Sequence, residues 1–148
     1  MREALNYPQI DKQNFEIVKN LINRIAETAP NGDYTKEIIE LNRITGKSHE
    51  AIEFAEYWGW TDLDTLTEKV LTAEPPRICD LSKNEIEEVV SIVKTCLISD
   101  LNKAEYYMEL LHKSLPLTNV RSYIMSGKDT ATIVKDMIIA ASNSVIAL

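Results

Sequence analysis

Glycine and proline are scarce, with four and five in 148 residues. An all-β chain needs frequent turns and would use more of both. Histidine occurs only at His49 and His112, and the two cysteines, Cys79 and Cys96, stand 17 apart with no C-x-x-C. That excludes a zinc pattern and a disulfide framework. No apolar run approaches the roughly 18 residues of a membrane span, and the opening MREALNYPQIDK has no apolar signal-peptide core. The expected setting is soluble and cytoplasmic, with no membrane partner. Basic charge is short as well: 16 Lys and Arg against 23 Asp and Glu leave a net charge of −7. Nucleic acid and anionic membranes reward a basic surface, so neither is an expected partner.

What is present is helical periodicity. Phe15, Val18, Ile22, Ile25 and Ala26 share one face of a first helix from Lys12 to Thr28, with Asp11 as its cap. Asp33 caps a second near Tyr34–Thr45, and Gly46 suits its left-handed stop. Ser48 opens a short third helix, His49 to Trp58, closed by Gly59. Thr61 and Asp64 form a capping pair for a fourth, which runs to about Thr72 with Leu63, Leu66 and Val70 inward. The segment TAEPPRICDL, 72–81, then breaks the pattern, because adjacent prolines cannot continue a helix. The expectation is one all-α domain over 1–148, with two subdomains, 1–73 and 81–148, as the alternative division around that Pro-Pro linker.

Ser82 and Glu85 make an S-x-x-E capping box. After it, Ile86, Val90, Val93, Leu97, Leu101, Ala104, Met108, Leu111 and Leu115 step by three and four without a glycine or proline. The stripe favours one long helix from Lys83 to Ser114; the Ser99–Asp100 pair could cap a restart and divide it. A short helix near 119–126, stopped by Gly127, precedes an apolar C-terminal helix capped by Asp129. There MIIAA, 137–141, is apolar all round, which suits a central core position or a homo-oligomer interface. The total is a bundle of six or seven helices.

No constellation of residues rises to a reaction. A phosphate loop ending in the Gly46-Lys47-Ser48 triplet would need a glycine where Leu41 stands, and a strand before it. Glu109 and His112 form one E-x-x-H pair, but a carboxylate-bridged di-iron bundle needs two such pairs, and Gly46 stands where an acid would serve His49. HEAIE, 49–53, begins like a zinc-binding H-E-x-x-H and ends on Glu53, so His49 and Glu53 read as an ordinary pair one helical turn apart. Cys79 has Arg77 nearby, and Cys96 sits among apolar neighbours as a core residue. Two G-K corners, ITGKSHEAI and MSGKDTATI, match each other as helix stops followed by new caps.

Four of the ten aromatics, Phe54, Tyr57, Trp58 and Trp60, crowd EFAEYWGWTD. Phe54, Trp58 and Trp60 fit a helix–glycine–helix corner. Tyr57 points away from that stripe and, with His49 and Glu53, makes the candidate partner or ligand surface. No catalytic, metal or cofactor residue is assigned. The leading reading is a non-enzymatic acidic interaction module whose partner is a protein, such as a basic toxin or nuclease domain held by an inhibitor or immunity-type protein. One alternative is a small enzyme or ligand-binding bundle with a pocket near His49 and Tyr57. Another is a helix-turn-helix DNA-binding regulator at the Gly46 corner, disfavoured by Glu50, Glu53 and Glu56 facing outward.

Overall fold

The computed structural model describes residues 2–28, 32–50, 54, 57 and 61–146, with side chains through residue 142. Among the described residues the chain forms seven α-helices, one 3-10 turn and no strand. The helices are α1 (Lys12–Thr28), α2 (Thr35–Thr45), α3 (Leu63–Leu71), α4 (Lys83–Ser99), α5 (Leu101–Ser114), α6 (Val120–Ile124) and α7 (Thr130–Ile146). They fall into two compact units, one of Pro8–Ala73 and one combining Met1–Tyr7 with Glu74–Leu148. The first unit is therefore an insertion in the second.

In the N-terminal unit α1 packs against both α2 and α3. Its core joins Val18, Leu21, Ile22 and Ile25 of α1 to Leu41, Phe54, Leu66 and Val70. Asp11 caps α1 by accepting from the Gln13 amide at 2.9 Å. Asp33 does the same for Thr35 at 3.1 Å, while Tyr34 stands just outside α2. Gly46 stops α2 with φ at 69°, a left-handed conformation that costs any residue with a Cβ. The cap of α3 is Asp62 and not the expected Thr61. Its carboxylate accepts from both the amide and the hydroxyl of Thr65 at 2.8 Å, and those bonds hold its pKa below the usual range. Asp62 wins because a carboxylate can satisfy two donors of one threonine at once. The expected helix over His49–Trp58 lies outside the described residues, apart from His49, Glu50, Phe54 and Tyr57.

In the C-terminal unit α4 packs along α5 and α7, and α6 touches all three. The Ser82–Glu85 box forms as its sequence predicts: the Glu85 amide donates to Ser82 Oγ at 3.1 Å and the Ser82 amide donates to the Glu85 carboxylate at 3.0 Å. Ser82→Ala leaves the Glu85 amide without its side-chain acceptor. It should destabilise this unit by about 1 kcal/mol, read as a lower denaturation midpoint at unchanged slope.

The single long helix does not form; the division at Ser99–Asp100 does. Asp100 ends α4 with its amide on the Cys96 carbonyl, and its carboxylate accepts from the Lys103 amide at 3.3 Å to start α5. The stripe continues through the break in sequence but not in burial. Leu101 is 48% exposed, and Ile98 beside it is 98% exposed. Burial resumes at Ala104 and runs through Tyr107, Met108 and Leu111.

Gly127, with φ at 81°, repeats the Gly46 corner, and Asp129 caps α7 by accepting from the Thr132 amide at 2.7 Å. The apolar MIIAA segment is two-sided: Met137 and Ala141 are buried in the unit's own core, whereas Ile139 faces out. Much of the Pro-Pro segment is docked too. The Ile78 amide donates to Ser114 Oγ at 2.9 Å, and the Lys113 ammonium reaches the Pro75 carbonyl and the Glu74 carboxylate.

Candidate functional site

His49 and Tyr57 both lie against the core of the N-terminal unit. The His49 amide donates to the Asn42 side-chain oxygen at 2.7 Å, and the Asn42 amide group returns a bond to the His49 carbonyl at 3.4 Å. Asn42 thus pairs with His49 as a neighbouring backbone would, and ties the segment after Gly46 to α2. The Lys47 ammonium donates to the Thr72 carbonyl at 2.6 Å, at the C-terminal end of α3, where the helix dipole favours a cation. The His49 ring lies 5.6 Å from the ring of Phe54, which is buried. Tyr57 packs half-buried on the same core, and its carbonyl accepts from the Thr61 amide at 3.0 Å. Glu53, the third member of the expected surface, lies outside the described residues. His49 and Tyr57 therefore share Phe54's neighbourhood as packing partners.

The E-x-x-H pair lies on α5. His112 Nδ1 contacts the Leu117 carbonyl, and a carbonyl can only accept, so Nδ1 carries the proton. Glu105, Glu109, His112, Thr118 and Arg121 line a shallow depression of about 330 Å³ there. No three His, Cys, Asp or Glu side chains among the described residues are placed to hold a metal ion.

A groove of about 900 Å³ opens between α4 and the start of α7. Its walls come from Asn84, Glu87, Glu88 and Ser91 on α4 and from Thr130 and Ala131 on α7. Ile92 lies half-buried in it and packs on the core beneath. The geometry follows from local sequence. The capping box fixes where α4 begins, and the Asp129 cap fixes where α7 begins. Lys94 holds the two together, donating to the Thr130 hydroxyl at 3.3 Å and the Lys128 carbonyl at 3.1 Å. Glu87 and Glu88 then present carboxylates beside an apolar floor, with amide and hydroxyl groups around them. In sequence these glutamates are legible only as favourable charges at a helix N-terminus; their apposition to α7 is tertiary.

A second groove of about 450 Å³ lies between α6 and α7, lined by Asn119, Ser122, Tyr123, Ser126 and Ile139 and spanned by the Lys128–Asp136 ion pair at 3.0 Å. No helix among the described residues is long and apolar enough to cross a membrane. No protein-family model, no curated protein and no solved structure matches the chain.

Proposed function

We propose that this protein is a non-enzymatic acidic helical interaction module, and that the α4–α7 groove receives a basic segment of a protein partner. The supporting observation is the pairing of Glu87 and Glu88 with the Ile92 floor in an open groove. Carboxylates would meet a lysine or arginine head while the apolar floor takes its hydrocarbon stem. The whole chain's charge of −7 adds long-range attraction for such a partner. Residues 8–73 hold twelve acidic and seven basic side chains, so most of that excess lies in the N-terminal unit. It steers without selecting, whereas the groove selects. Rim charges act mainly on association rate and are screened over about 8–10 Å near physiological salt.

The Glu87→Lys, Glu88→Lys double variant tests this reading. Capture of a basic partner at low salt should fall at least tenfold, with only a modest loss of thermal stability from reversing two charges near the α4 N-terminus. Equal capture by wild type and variant would count against the groove. A homo-oligomer through α7 is a separate reading that rests on the outward Ile139. Sedimentation showing only monomer at micromolar concentration removes it.

A further inference from the structure

Residues 2–7 are held by the C-terminal unit through four different kinds of contact. The Arg2 guanidinium bridges the Asp80 carboxylate at 2.8 Å and the Glu85 carboxylate at 2.6 Å, and also reaches the Asp80 carbonyl at 3.3 Å. Leu5 is fully buried in that unit's core. The Tyr107 hydroxyl, itself buried, donates to the Leu5 carbonyl at 2.6 Å. The Tyr7 ring meets Tyr106 edge-on at 5.1 Å, with the Lys103 ammonium 5.7 Å from its centre. A charge clamp, an apolar socket, capture of a main-chain carbonyl and an aromatic rest are the parts of a short-peptide binding site. The ligand pattern they read is Arg-x-x-Leu-x-Tyr.

The bound segment has little structure of its own. It makes one 3-10 turn, and Arg2, Glu3, Ala4 and Asn6 are exposed. It joins the rest of its unit only through the inserted residues 8–73. Short peripheral segments of this kind open with less free energy than the core they sit on.

We propose that this socket is a linear-peptide recognition site, that segment 2–7 is its resident ligand, and that a partner protein's segment with the Arg-x-x-Leu-x-Tyr pattern displaces it. Asp80 and Glu85 require the basic residue, the Leu5 socket requires an aliphatic one, and Tyr107 requires a main-chain carbonyl on that aliphatic residue, free to accept. The reading uses different residues from the α4–α7 groove, so either can fail alone.

The test uses the full wild-type chain and the peptide REALNYP as probe. A tethered segment competes at an effective concentration on the order of millimolar, so the peptide is needed at roughly that level. Amide exchange is followed residue by residue. The expected result is saturable acceleration, tenfold or more, at Leu5 and Asn6 while α4 and α5 stay protected. The peptide with its leucine changed to aspartate should do nothing. Unchanged exchange at Leu5 and Asn6, or their opening only together with α4 and α5, would overturn the proposal. So would a concentration-dependent dimer lost in Leu5→Asp, which would make the socket a contact between copies of this chain.

Discussion

Phe54→Ala will destabilise the N-terminal unit by about 3–5 kcal/mol, the range for deleting a fully buried phenylalanine ring. Phe54 is 1% exposed and packs among α1, Leu41 of α2 and two residues of α3. No other aromatic side chain of residues 8–73 is described as fully buried. Removing the ring also strips the His49 ring of its neighbour at 5.6 Å. Amide exchange in α1, α2 and α3 reports on this unit. Its transition should fall by 10 °C or more, on the order expected for a unit this small. Amide protection in α4 and α5 should persist through that transition. Simultaneous loss of both would show that the two units unfold as one.

Leu5→Ala carries the second large effect, about 2–5 kcal/mol for emptying a buried leucine site. Here the loss should appear in α4 and α5 while the transition of α1, α2 and α3 holds. Tyr107→Phe should add a smaller cost of about 1–3 kcal/mol, because the Leu5 carbonyl then lacks its buried donor. The same hydroxyl predicts an alkaline limit. Burial, and to a lesser degree Tyr106, pushes the Tyr107 phenol up to about 12. An unfolded tyrosine ionises near 10. Below pH 10 both states keep the proton and the contribution is intact; between 10 and 12 only the folded state keeps it. Stability should decline as pH rises through that window, and Tyr107→Phe should flatten the decline. At the other extreme, Asp80 is held below the ordinary carboxylate range chiefly by Arg2, and Glu85 first by the Ser82 amide and then by Arg2. Their support is present above about pH 4 and lost as pH falls through those lowered values.

Local chemistry explains which parts of this structure could be read from the chain. The bounds of α1 at Lys12 and Thr28, the Ser82–Glu85 box and the Gly46 and Gly127 stops are decided within four residues, so each is legible in the chain. Thr61 and Asp62 are both good caps, and only the Thr65 hydroxyl separates them. The break at Asp100 was harder. Steps of three and four persist across it, so periodicity alone favoured one helix, although Leu101 lies half exposed at the corner. Non-local features left no signal at all. Nothing in REALNYP announces that Leu5 enters the core built by α4 and α5, because that contact joins residues 102 apart. The groove is similar: Glu87 and Glu88 explain themselves as helix-terminus charges until α7 is placed beside them. Of the His49–Glu53–Tyr57 surface, the structure places His49 beside Phe54 and Tyr57 half-buried on the same core, while Glu53 lies outside the described residues.

The groove reading is tested most directly by backbone chemical-shift mapping of the full chain against a short lysine-rich peptide carrying one leucine. It predicts saturable shifts confined to Asn84–Ile92 and Thr130–Ala131, lost in the Glu87→Lys, Glu88→Lys variant and weakened by salt. Shifts spread over the acidic residues of 8–73, or shifts retained in the double variant, would contradict it.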